Sequence, residues 1–146
     1  MMNFLNDCKV MVVEAAAAAG QTELVTDVID MSGYDSVAFI LMTGDVSDGS
    51  VLTVTGKTNS ANSVSTPTPT TLSDTATFTA GASDADSKVL ILDLYKVREQ
   101  YVFASITRTT ADAVIGGVIA VLYNARNRPV TQDATVIAST FVNDPS

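Results

Sequence analysis

The chain has 146 residues, of which 47% are hydrophobic, 16% charged and only 6% aromatic, with no His, no Trp and one Cys. That length makes one domain at roughly 150 residues apiece. Without His or a second Cys there is no Ser-His-Asp triad, no Cys-His dyad, no His-ligated metal, no internal disulfide and no thiolate zinc site. Sixteen acids against eight bases leave a formal net charge of −8, which nucleic acid and anionic membranes both repel.

Met1–Val13 carries Asp7 and Lys9 where a secretory signal needs an apolar centre, and no run approaches the roughly 18 apolar residues of a spanning helix. Cys8, without a His partner, reads as inert. Val10–Ala19 is ambiguous. Ala15–Ala19 suits a helix stopped by Gly20, but Met11-Val12-Val13 pulls toward strand, and the segment is read as extended. Glu23–Met31 reads as a strand with imperfect alternation. Ser36–Met42 is an apolar run of strand length closed by Thr43-Gly44-Asp45. Asp48-Gly49 is a hairpin dipeptide leading into a strand over Ser50–Thr58.

Asn59–Ser73 is uncharged and rich in Ser, Thr, Asn and Pro, which predicts a long exposed loop. A short strand follows at Thr75–Thr79, then an acidic loop at Ser83–Ser87. Lys88–Tyr95 sets Leu90, Leu92 and Leu94 on one face. Tyr101–Arg108 sets Val102, Ala104 and Ile106 on one side. Ala113–Tyr123 is a long apolar run broken by Gly116-Gly117, and its β-branched residues favour a strand with a bulge. The last 21 residues open with Arg126, Arg128 and Pro129 yet carry Val136, Ile137, Phe141 and Val142. A purely solvated tail has no use for those four, so they are expected to dock, on the same domain or on a neighbouring subunit.

Seven or eight short strands and no sustained helical period predict an all-β sandwich or barrel. Its expected division is an N-terminal extended segment (1–22), the sandwich (23–125) and a C-terminal arm (126–146). The acidic loops at Asp45–Ser50 and Ser83–Ser87 lack the alternating oxygens of a calcium loop and read as turns. Asp30 and Asp93 lie in or beside apolar strands and are expected at outward-facing positions rather than as a catalytic pair. Lys96, Arg98, Arg108, Arg126 and Arg128 are the informative bases. Arg is favoured at protein interfaces, and in an acidic chain it offers contacts with copies of the same chain.

The order of the segments Asp30-Met31-Ser32-Gly33-Tyr34-Asp35-Ser36-Val37-Ala38-Phe39, Asp48–Val54, Arg98-Glu99-Gln100-Tyr101-Val102, Val118–Tyr123 and Arg126-Asn127-Arg128-Pro129 resembles small virion proteins of tailed bacteriophages. In these a "gyxsvxFxxxxG" strand pairs with a "kRyvxxxi" strand, and the last strand leaves through "xR-P". The likeness spans residues 23 to 130. It departs at Arg98-Glu99-Gln100-Tyr101, which lacks the adjacent Arg-Tyr pair. The resemblance implies a β-sandwich or jelly-roll-like protein of the phage particle, a capsid decoration (cement) protein on the virion exterior, assembled in the host cytoplasm and commonly trimeric. Its partners would be the major capsid protein and copies of itself, and it would have no cofactor, no small-molecule substrate and no enzymatic activity. The partner-binding residues would be Arg126, Arg128, Val136, Ile137, Phe141 and Val142. A head–tail connector or tail component is the alternative in the same class. A carbohydrate-binding module is the alternative in another, although Trp is absent.

Overall fold

The computed structural model describes residues 3–144. Ten strand segments follow one turn of helix, α1 (Phe4–Asp7). They are β1 (Lys9–Glu14), β2 (Ala17–Gly20), β3 (Leu24–Val25), β4 (Ile29–Asp30), β5 (Tyr34–Val46), β6 (Val51–Asn59), β7 (Thr70–Thr79), β8 (Val89–Leu94), β9 (Tyr101–Thr109) and β10 (Ala113–Ala125). They form two antiparallel sheets. Sheet I runs β1-β10-β5-β8, with β2 also on β10; sheet II runs β3-β9-β6-β7, with β4 also on β9. When β1 with β2 and β3 with β4 are each counted as one interrupted strand, eight strands interleave as 1-8-3-6 and 2-7-4-5. That is the order of a jelly roll, and the chain is a β-sandwich of that kind.

Alternation explains the packing, because side chains of a strand point to opposite faces with period two. Val37, Phe39 and Leu41 of β5, Leu92 and Leu94 of β8, and Val118, Ala120 and Leu122 of β10 point inward from sheet I and are buried. Leu52 and Val54 of β6, with Val102, Ala104 and Ile106 of β9, meet them from sheet II. The β10 ladder slips against β5 between Ala113 and Gly117, so the Gly116-Gly117 bulge stands where the sequence places it. Gly117 takes a φ of 131°, and a Cβ there would lie 3.2 Å from the Glu14 carbonyl, so a side chain would be strained and crowded.

Four expectations on boundaries need correction. The opening segment is extended but not separate from the sandwich. β1 and β2 hydrogen-bond to β10, and Val13 is buried in the core. Glu23–Met31 is interrupted because the Thr26 hydroxyl, itself buried, accepts the Ala104 N–H at 2.9 Å in place of a ladder carbonyl. β5 runs on through Thr43, whose hydroxyl donates to the Ala85 carbonyl at 2.6 Å, so the Thr43-Gly44-Asp45 stop is not used. The loop after β6 spans only 60–69. Asn59 is buried and its amide donates to the Ser63 and Pro67 carbonyls at 2.9 Å each, which folds the loop back on itself.

Arg108 is the other departure. Its guanidinium is buried and donates to three carbonyls, Thr22, Ala18 and Ala113, at 3.0, 2.8 and 2.8 Å. It ties β9 of sheet II to β2 and β10 of sheet I and is not available to a partner. A planar fork with five donors is the side chain that can satisfy three carbonyls at once.

Candidate interaction surface

The C-terminal arm divides into two parts with different physics. In the first, 126–135, a series of hydrogen bonds and ion pairs ties the arm to the rest of the chain. The Arg126 N–H donates to the Gly33 carbonyl at 2.9 Å, and its side chain pairs with Asp35 at 3.0 Å. Arg128 pairs with Asp7 at 3.1 Å, and the Val130 N–H donates to the Asn6 carbonyl at 2.9 Å. Both Arg side chains are more than half exposed, at 66% and 58%, so each pair holds the chain's path at well under about 1 kcal/mol. The sequence reading offered these two residues to a partner; the structure also gives each an acid of its own chain.

Gln132 is the principal tether. Its amide NH2 donates to the carbonyls of Leu5 at 3.1 Å and Cys8 at 2.6 Å, while its oxygen accepts the Val10 N–H at 2.8 Å. Three residues on, the Thr135 hydroxyl accepts the Val12 N–H at 2.9 Å and donates to Asp133 at 2.8 Å. Val10 and Val12 lie on the outer edge of β1, where a ladder partner is missing. Gln132 and Thr135 therefore satisfy an edge that would otherwise present free N–H groups. The Asp133 carboxyl is held below the usual carboxylate range, first by the Thr135 N–H and then by its hydroxyl.

The second part begins at Val136, and residues 136–143 make no such contacts with the sandwich. Val136 is half-buried, Ile137 is 99% exposed, Phe141 62% and Val142 78%. Three large apolar side chains thus stand in water at the end of a segment fixed to a rigid sandwich. Uncovered apolar groups grouped in this way mark interaction sites. Sequence reasoning found these residues by their incongruity in a tail. It missed Gln132 and Thr135, since an isolated Gln and Thr in a polar stretch carry no pattern.

The remaining candidates fall elsewhere. Asp93 faces outward on β8 and accepts a hydrogen bond from the Tyr123 hydroxyl. Tyr123 is pushed up to about 12, first by burial and then by that bond. Asp30 is exposed and held low by the Ser32 N–H. Cys8 is buried, and burial followed by Asp7 pushes its thiol up, away from the nucleophilic thiolate. In the acidic loops Asp84 accepts the Gly81 N–H at 2.7 Å and the Ser50 N–H donates to the Ser47 carbonyl at 3.1 Å, both within turns, while Asp86 accepts the Val46 N–H at 2.8 Å and ties one loop to the other. Among the described residues no acids gather into a group that could hold a metal ion. No helix there is long and apolar enough to cross a membrane.

No family model and no curated protein matches the chain. Among solved structures, one described as "Structure of Eiger TNF from S. frugiperda" is similar with a TM-score of 0.40 at 10% identity. The match covers 83% of this chain and 99% of that one.

Proposed function

We propose that the chain is a structural virion protein of a tailed bacteriophage, a capsid decoration protein that binds the outer shell and bridges neighbouring capsid subunits. The observation that carries this reading is the exposed apolar end of an arm whose base is tethered to a rigid sandwich. The resemblance over residues 23 to 130 supports the class. Jelly rolls serve in viral capsids and in lectins alike, so the fold by itself does not choose between them.

The mechanism is geometric. The sandwich keeps its shape while Ile137, Phe141 and Val142 enter apolar pockets of the major capsid protein or of another copy. Each large side chain fully buried contributes roughly 1.5–3 kcal/mol before the segment's ordering is charged against it. Many copies on one shell then make a weak contact persist. The −8 charge keeps the outward surface solvated.

The experiment adds purified chain to particles lacking it and measures occupancy. The informative truncation ends the chain at Thr135, because a cut after Pro129 would also remove the Gln132 and Thr135 caps on β1. The expected result is loss of binding with an unchanged thermal transition. Undiminished occupancy by the shortened chain would overturn the reading.

A further inference from the structure

Aliphatic side chains cross the outer face of sheet I from edge to edge, with the outward-facing Asp93 of β8 one row away. Register aligns Val12, Ile119, Ile40 and Ile91 in a single row over β1, β10, β5 and β8. Met42 and Val89 stand side by side in the next row toward the Gly117 bulge. Val12, Met42, Val89, Ile91 and Ile119 are exposed, from 37% at Ile119 to 56% at Ile91, and Ile40 is half-buried. The open face of an antiparallel sheet is ordinarily polar, so an uncharged aliphatic row open to water indicates a surface that is covered in use.

We propose that this row seats residues 136–142 of a second copy of the chain, so that copies lend arms to one another in a closed assembly. Three observations select that occupant. The first is position: the Thr135 hydroxyl, directly before the segment, accepts the Val12 N–H, and the Val12 side chain begins the row. The free segment therefore leaves the sandwich at the border of the same face.

The second is length. Four strands about 4.8 Å apart make a face about 14 Å across, and seven extended residues reach about 23 Å. One arm crosses the row completely.

The third is charge. Copies of a chain with net charge −8 repel wherever their acids meet. The row is uncharged, and so is every residue from 134 to 143. Two copies that meet on these surfaces bring acids together only at the margins, where Glu14 and Asp93 border the row and Asp133 and Asp144 flank the segment. The seat is not filled by the chain's own arm, in which Ile137 is 99% exposed. Exchange in both directions covers an area on the order of the 1,200 Å² at which specific interfaces begin, and symmetry closes it.

This inference uses the same arm as the proposed function and names a second copy as a partner, so its test is made without particles. Sedimentation equilibrium is run over a concentration series on the full chain, the chain ending at Thr135, an Ile91→Glu variant and an Ile137→Asp/Phe141→Asp variant. Thermal unfolding confirms that each is folded. Ile91 is exposed on an edge strand, so its substitution spares the core. The expected result is a concentration-dependent closed oligomer for the full chain and monomers for the other three. Mixing Ile91→Glu, which keeps its arm, with the arm variant, which keeps its face, is expected to give a weak one-to-one complex.

A full chain that stays monomeric at its highest soluble concentration would overturn the exchange. So would an oligomer of unchanged mass after the arm is removed. Particle binding by a chain that never self-associates would sink the exchange and leave the proposed function standing. Self-association by a chain that ignores particles would do the reverse.

Discussion

The two sheets share one core but turn opposite surfaces to the outside. Sheet I presents Val12, Ile119, Ile40 and Ile91 across its four strands. The corresponding positions of sheet II hold Thr53, Thr55, Thr75, Thr77 and Thr107, with the Thr53 and Thr77 hydroxyls bonded at 2.9 Å. Threonine and the aliphatic β-branched residues have similar strand preference, so the backbone is served equally by both. The difference lies in what the outer face meets. The threonine face is at home in water, whereas the aliphatic face gains from being covered.

The contrast can be broken first at the joint between the sheets. Arg108→Met removes three hydrogen bonds, one buried and two part-buried, and takes the donor from the carbonyls of Thr22, Ala18 and Ala113. Each buried carbonyl without a donor costs about 1–3 kcal/mol, offset in part because a buried charge is also removed. The expected net loss is about 2–4 kcal/mol by denaturant unfolding. Amide exchange should accelerate most in β2. A loss below about 1 kcal/mol would mean that water replaces the guanidinium and that the joint is not structural.

A smaller effect on stability, but a diagnostic one on solubility, is expected from exchanging the two surfaces. Ile40→Thr with Ile91→Thr gives sheet I a face like that of sheet II. Thr53→Ile with Thr55→Val does the converse. Both pairs should shift stability by less than about 1 kcal/mol, since these are outer-face positions of well-paired strands. The first is expected to abolish self-association, and the second to create association that persists without the arm. Light scattering distinguishes them; equal behaviour of the two variants would show that the faces do not differ in kind.

The smallest effect concerns pH. Tyr123 is raised to about 12 in the folded chain by burial and by its bond to Asp93. A raised pKa means that the neutral phenol is favoured by folding. Its contribution is complete below about pH 10, the ordinary tyrosine value, and is lost as pH rises through 12. The decline in stability between those limits is expected to be steeper in the natural chain than in Tyr123→Phe. Parallel curves for the two would remove the bond from the account.

The same contrast shows what was legible in the sequence. β5, β8 and β10 announce themselves as apolar runs, and those runs carried a second message. A strand with one covered face alternates, so Ser36–Met42 and Val89–Ile91 were already too apolar for a face left in water. The bulge was legible because Gly116-Gly117 interrupts β-branched residues. The opening of β7 was not, since Thr70–Ser73 has the composition of a loop and becomes strand only because β6 lies alongside it. Nor could any local pattern show that Arg108 faces inward while Arg126 and Arg128 face outward. That distinction depends on the carbonyls of Ala18 and Ala113, which only the folded chain brings to Arg108. The arm was half legible: its free apolar end stood out, and its tether at Gln132 and Thr135 did not.

The central claim is that a rigid sandwich presents an arm whose free end does the binding. The most direct measurement is an image reconstruction of particles incubated with the full chain, with the chain ending at Thr135 as control. The account predicts sandwich density on the outside of the shell, with an arm reaching a neighbouring subunit, and bare shells in the control. Density confined to the portal or tail, or equal decoration by both chains, would contradict it.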